Sequence, residues 1–68
     1  MKSISGKKLC KVMEKFGWKL VRVKGSHHIY IKENVSKIVI IPVHGNRDLP
    51  TGTLKGILKD AELTEDDI

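Results

Sequence analysis

Apolar side chains near the beginning of the chain recur with the period of an α-helix. Four of them, spaced at i, i+3, i+4 and i+7, form the core stripe of a predicted amphipathic helix: Leu9, Val12, Met13 and Phe16. Ser3 or Ser5 can cap the start of this helix, and Gly17 follows its end. The pattern predicts a helix over roughly residues 5–16, with Trp18 covering the core beyond it.

Three runs of strand-forming residues follow this helix. Trp18–Val23 and His28–Lys32 flank the short turn Lys24-Gly25-Ser26, so this stretch predicts a β-hairpin. After a second turn, residues 38–41 are Ile-Val-Ile-Ile, a continuous apolar run typical of a well-buried strand. Pro42 is expected to end that third strand.

A second helical pattern begins near Pro50 or Thr51 and carries the apolar stripe Leu54, Ile57, Leu58 and Ala61. The order α-β-β-β-α predicts an α+β fold: a two-layer sandwich with a three-stranded antiparallel sheet, two helices on one face and the other face open to solvent. The sequence predicts a single domain over residues 1–68. Its acidic tail, residues 62–68, is expected to extend the second helix or to fray.

The charge of the chain is unevenly distributed. Residues 1–59 hold all 13 lysine and arginine residues and only three acids, a net charge of +10, whereas residues 60–68 hold five acids and no base. A body this basic favours a polyanion such as RNA as its partner. The plainer interpretation is a soluble surface with a lysine bias.

Cys10 is the only cysteine, and no apolar run approaches the ~20 residues of a membrane span. A lone cysteine excludes an intrachain disulfide and is typical of a reducing compartment. With no secretory signal at the N-terminus, the sequence predicts a cytoplasmic protein with no membrane association. Cys10 itself is expected to act as a small apolar helix residue.

Two adjacent histidines, His27 and His28, stand where the Gly25 turn enters the second strand. Neighbouring strand residues point to opposite faces, so one histidine faces the helices and the other the open face, and the sequence leaves open which. Arg22 and Lys24 add positive charge nearby. An imidazole can take a proton from a 2′-hydroxyl or give one to a leaving oxygen, and cations can stabilise the phosphate charge, so this set suits RNA hydrolysis. The alternative is a partly buried, hydrogen-bonded structural histidine.

Other chemistry finds less support in the sequence. The spacing of His27 and His28 with a distant His44 matches no common metal-ligand pattern, so no metal site and no cofactor are expected. The start of the second helix, Thr51-Gly52-Thr53, is a weaker candidate for binding phosphate. Gly52 and Gly56 lie four residues apart, which suits either the close approach of a ligand or tight packing of the helix.

Several motifs in a fixed order resemble one family over roughly residues 5–63. They are Gly17-Trp18, Gly25-Ser26-His27, Pro42-Val43-His44-Gly45-Asn46, and the run from Leu49-Pro50-Thr51-Gly52-Thr53 to Leu58. Together they are similar to the HicA-type mRNA interferase toxins. The resemblance implies a fold like that of a double-stranded-RNA-binding domain, which agrees with the predicted order of elements.

The resemblance also implies a function. Members of this family are toxins of type II toxin–antitoxin pairs, which cleave mRNA without the ribosome and are blocked by a HicB antitoxin. The family's active histidine follows a Gly-Ser pair, which is Gly25-Ser26 here, so His27 is the expected general acid or base. Some relatives insert one residue before it, which keeps His28 as a second candidate. Arg22, Lys24, Gly25 and Ser26 are the expected RNA-binding residues.

The sequence thus predicts a metal-independent endoribonuclease whose partners are an RNA substrate and a HicB-like antitoxin. Two alternatives stay open. One is a non-catalytic RNA-binding module, in which substitution of His27 would change little. The other is a structural subunit whose basic face meets an acidic protein and which binds no RNA at physiological salt.

Overall fold

The computed structural model describes residues 2–68 and has the order α-β-β-β-α, as predicted. Its main elements are the helices and strands α1 (Gly6–Lys15), β1 (Lys19–Lys24), β2 (His27–Lys32), β3 (Val35–Pro42) and α2 (Thr51–Ala61). The strands form one antiparallel sheet in the order β1-β2-β3, so β2 is central. Both helices pack on one face of this sheet, and the predicted two-layer α+β fold is confirmed.

Local signals set both ends of α1. The Ser5 hydroxyl accepts a hydrogen bond from the Lys8 backbone N–H at 3.2 Å, so Ser5 and not Ser3 caps the helix. At the other end Gly17 has a φ of +92°, and the Trp18 N–H donates to the Met13 carbonyl at 3.1 Å. This 6→1 bond is a Schellman motif, and it turns the chain sharply enough to bury Trp18 in the core.

The prediction that Phe16 belongs to the core stripe is wrong. Phe16 lies just beyond α1, and its side chain is 39% exposed. The Schellman turn gives the physical reason: the helix closes before Phe16 completes the stripe, and Trp18 folds back against the last turn instead. The other three predicted members of the stripe lie at or near the core: Leu9, Val12 and Met13.

The third strand is buried on one side only, whereas its continuous apolar run is typical of a well-buried strand. Val39 and Ile41 are buried against the helices, while Ile38 and Ile40 are exposed. Side chains alternate along a strand, and the helices cover one face of the sheet, so an unbroken apolar run must present every second residue to solvent. Burial of the whole run would require a second layer on the open face.

The acidic tail neither extends α2 nor frays. Glu62 adopts a left-handed conformation with φ of 58° and ends the helix. Residues Glu65–Asp67 then form a 3₁₀ turn, in which the Thr64 backbone N–H donates to the Asp67 carboxylate at 2.7 Å. Leu63 and Ile68 pack against the core, which anchors the tail to the body of the protein.

Candidate functional site

A two-residue turn, Gly25-Ser26, joins β1 to β2 and places Lys24 directly opposite His27. Gly25 has a φ of +60° at the first turn position, where type II′ hairpins favour glycine. The Ser26 carbonyl accepts a hydrogen bond from the Val43 N–H at 2.7 Å. This bond ties the hairpin turn to the chain beyond β3 and limits how far His27 can move.

The orientation of Tyr30 decides which histidine faces which way. Tyr30 is buried, and its hydroxyl donates to the Glu14 carboxylate of α1 at 2.9 Å, so it lies on the helix side of the sheet. His28, two residues earlier, lies on the same side, is half-buried, and pairs with Val23 and Ile41. His27 is exposed on the open face.

The strand register arranges the open face as three columns of side chains. The β1 column holds three cations, each directly opposite a residue of the β2 column: Lys19 opposite Ile31, Arg22 opposite Ile29, and Lys24 opposite His27. Beyond β2, the β3 column holds Ile38, Ile40 and Pro42. A bulge at Val21 resets the alternation in β1 and brings Lys19 onto the same face as Arg22 and Lys24.

The predicted catalytic and RNA-binding side chains therefore come together at one corner of the open face. His27 lies beside Lys24, with Arg22 in the adjacent row of the sheet. None of the 20 residues in the three strands is an acid, so no carboxylate of the sheet neutralises the cations on the β1 side of His27. An exposed imidazole beside cations can accept a proton from the 2′-hydroxyl of a bound RNA or donate one to the leaving oxygen. The cations can offset the charge of the phosphate.

His44 stands apart from the other two histidines. It lies in the loop after β3 and lines a separate groove of about 220 Å³ with Arg47 and Thr53. Within residues 2–68, no group of three or more histidine, cysteine or acidic side chains is placed to hold a metal ion.

A basic groove on α1 was not foreseen as a site. It has a volume of about 350 Å³, and its lining includes Lys7, Lys8, Lys11, Asn46 and one acid, Asp48. The sequence places the three lysines on the polar side of a helix, but it does not reveal that the loop after β3 folds beside them. The available signal is the spacing of Lys11 four residues after Lys7 and three after Lys8, which puts the three lysines side by side on the helix.

The glycines of α2 do not serve tight packing, which removes one of the two interpretations offered for them. A side chain at Gly52 or Gly56 would meet no atom within 4 Å, and both residues are exposed. Close approach is instead a property of Gly6 in α1, where a β-carbon would collide with the backbone carbonyl of Pro42.

Beneath the sheet, burial raises the pKa of Tyr30 well above its ordinary value, and hydrogen bonding with Cys10 and Glu14 raises it further. Burial also raises the pKa of the Cys10 thiol, an effect that the hydrogen bond with Tyr30 partly offsets. Cys10 is buried in α1 and behaves as the predicted small apolar residue. Neither group is a candidate for chemistry on the open face.

A comparison with protein families finds a match that covers most of the chain. Residues 6–63 match the family described as the HicA toxin of bacterial toxin–antitoxin. No match was found among curated proteins. Over residues 2–68, no helix has both the length and the apolar character needed to cross a membrane. Since the family match spans both helices and all three strands, this chain belongs to the HicA toxin family.

Proposed function

We propose that this protein is an endoribonuclease toxin that cleaves mRNA in the cytoplasm, with His27 as general acid or base and with no metal ion. One observation carries the proposal: in a chain of this family, His27 is exposed at the corner of an acid-free sheet face, beside Lys24 and near Arg22. The +10 charge of residues 1–59 supports an RNA substrate.

The proposed chemistry follows from what these side chains can offer an RNA chain. The 2′-oxygen attacks the adjacent phosphorus, and the bond from phosphorus to the 5′-oxygen breaks. The His27 imidazole either accepts the 2′-hydroxyl proton or protonates the leaving oxygen. Arg22 and Lys24 offset the charge that develops on the phosphate, while Gly25 and Ser26 form the turn that presents His27.

Control of such an enzyme requires a partner, and we propose a HicB-like antitoxin that covers His27 directly and competes with RNA. The site lies on an exposed sheet face and not in a deep pocket, so a protein of ordinary interface size, ~800 Å² per side, can occlude it. Its contact surface is expected to carry acidic groups, because cations that lose water need charged partners.

Substitution of His27 tests the assignment. His27→Ala should lower the rate of RNA cleavage by about 10²-fold or more, the usual contribution of an acid–base group. The fold should survive because His27 is exposed and outside the core. The measurement is cleavage of a labelled RNA, with circular dichroism to show that the variant is folded.

His28→Ala and His44→Ala are the matched controls, since these histidines lie on the helix side of β2 and in the loop after β3. Both should retain cleavage within a few-fold. If folded His27→Ala keeps full activity while His28→Ala loses it, the catalytic role belongs to His28. If all three variants bind and cleave RNA like the wild type, histidine catalysis is excluded.

A further inference from the structure

The open sheet face carries an apolar patch that the proposed RNA chemistry does not use. Ile31, Ile38 and Ile40 are 42%, 59% and 49% exposed, and half-buried Ile29 lies directly opposite Ile40. We call these four residues the isoleucine patch. These adjoining apolar side chains form one surface on the open face that a partner molecule can cover.

The surroundings of the isoleucine patch restrict what can cover it. On the β1 side it is bordered by Lys19 and Arg22, directly opposite Ile31 and Ile29. The three strands contain no acid that could neutralise these cations. A well-matched partner therefore brings apolar side chains for the isoleucines and carboxylates for the cations along one border.

Charge excludes a second copy of this chain as a good match. Consider two copies that pack face to face about a two-fold axis. The β1 column of one copy, which holds the cations, would then lie against either the β1 column or the β3 column of the other copy. Neither column contains a carboxylate. Such a pair would desolvate several cations without pairing them, which is costly. Double-stranded RNA is a poor match as well, because its phosphates satisfy the cations but its stacked bases offer the isoleucines no apolar face.

The size of the face adds a geometric constraint. Three strands about 4.8 Å apart, over the stretch from His27 to Ile31 and its paired neighbours, give a flat area of roughly 250 Å². A stable interface needs ~800 Å² on each side. A partner seated on the isoleucine patch must therefore extend past its borders. His27 continues the β2 column that contains Ile29 and Ile31, so it lies within the area that such a partner covers.

We propose that the isoleucine patch is the docking surface for the antitoxin, which presents an apolar segment bordered by aspartate or glutamate along the β1 side. The isoleucines provide most of the affinity, and inhibition results from the coverage of His27 at the end of the same face. This inference rests on the proposed function for the existence of an antitoxin. The binding test below is independent of catalysis.

The test uses the intact chain and, as probe, the protein encoded beside its gene, with affinity measured by calorimetry. Ile38→Ser/Ile40→Ser should raise the Kd at least tenfold, and Lys19→Glu should raise it severalfold. The double variant changes neither a charge nor a residue placed in the RNA-cleaving site, so the free double variant should cleave RNA like the wild type. The double variant should also continue to cleave RNA at probe concentrations that silence the wild type.

Leu20→Ser is the matched control. Leu20 is 44% exposed but pairs with Tyr30 and lies on the helix side of the sheet, so its Kd should stay within twofold of the wild-type value. An unchanged Kd for the double variant, or no binding of the probe to the wild type, overturns the inference. Two further results also overturn it: loss of RNA affinity with probe binding intact, or wild-type self-association that the double variant abolishes. A chain that binds the probe through the patch but cleaves no RNA would instead contradict only the proposed function.

Discussion

Tyr30 links the central strand to α1, because its hydroxyl donates a hydrogen bond to the Glu14 carboxylate and also interacts with the Cys10 thiol. Because burial and this bond favour the neutral phenol, the pKa of Tyr30 in the folded chain is higher than in the unfolded chain. A group with a raised pKa stabilises the fold fully below its unfolded pKa, which is about 10, and this contribution is lost as the pH rises beyond that value. The contact is therefore a specific source of alkaline sensitivity.

Tyr30→Phe measures that contribution. At neutral pH the variant should be roughly 1 kcal/mol less stable than the wild type, which is the usual net value of one hydrogen bond. Above pH 10 this difference in unfolding free energy should shrink, because the Tyr30 phenol then ionises in the unfolded wild-type chain and stabilises the unfolded state, whereas phenylalanine has no proton to lose. Urea unfolding of both proteins across this range provides the comparison. A difference that stays constant or grows with pH would contradict the assigned pKa shift.

Whether RNA cleavage needs a metal ion depends on whether the chain provides side chains to bind one. The described part of the chain, residues 2–68, brings together no set of three metal-ligating side chains. We expect RNA cleavage to continue at an unchanged rate in excess EDTA. Loss of cleavage on chelation, with recovery on addition of Zn²⁺ or Mg²⁺, would show that a divalent ion takes part.

At the scale of elements, the sequence predicts the order of helices and strands. It does not predict for every side chain whether it points to the core or to solvent. Apolar periodicity placed Leu9, Met13 and Leu54 in the core, where the structure has them. It failed at Phe16, because a Schellman turn depends on local backbone geometry that the periodicity does not encode. It failed at Ile38, because alternation is invisible in an unbroken apolar run.

At the candidate site, too, an apolar run hides which side chains share a face of the sheet. The residues Gly25-Ser26-His27 were recognisable in the sequence, but the faces of His27 and His28 were not, because every residue from Ile29 to Ile31 is apolar. Only the pairing of the strands and the burial of Tyr30 resolve the two faces. The cation column required the bulge at Val21, for which the sequence contains no signal.

Substitution of glycine by alanine should change the stability in opposite directions in the two helices. Gly56→Ala should stabilise the protein by about 1 kcal/mol, because the residue lies inside α2 with open space around it. Gly6→Ala should destabilise it by roughly 1–3 kcal/mol, because the new methyl group would collide with the Pro42 carbonyl and push α1 from β3. Urea unfolding gives both values. Equal effects at the two positions would mean that the contact between α1 and the end of β3 is not tight.

At the scale of the whole molecule, the distribution of charge should govern RNA affinity. Residues 1–59 have a net charge of +10, and the acids of residues 60–68 are mostly held in a turn that packs back on the core. The affinity for single-stranded RNA should fall steeply with salt, with a log–log slope of about −0.7 for each phosphate contact. Fluorescence anisotropy over a salt series measures this slope.

Arg22→Ala provides the specific variant for that measurement, since Arg22 lies near His27 on the open face. It should weaken binding and make the slope shallower by about one contact. Lys59→Ala is the control, because Lys59 lies in the last turn of α2 in the other layer. A flat salt dependence for the wild type, or equal changes in the two variants, would argue against phosphate contact at this corner.

The first and last described residues meet in space. The Lys2 backbone N–H donates to the Glu65 carboxylate at 3.2 Å, and the Lys2 ammonium donates to the Ile68 carbonyl at the same distance. A fusion protein built on this fold would therefore have both junctions side by side. The whole α-β-β-β-α unit can be inserted into a surface loop of a host protein with short linkers, because the two junctions lie on the same side of the fold.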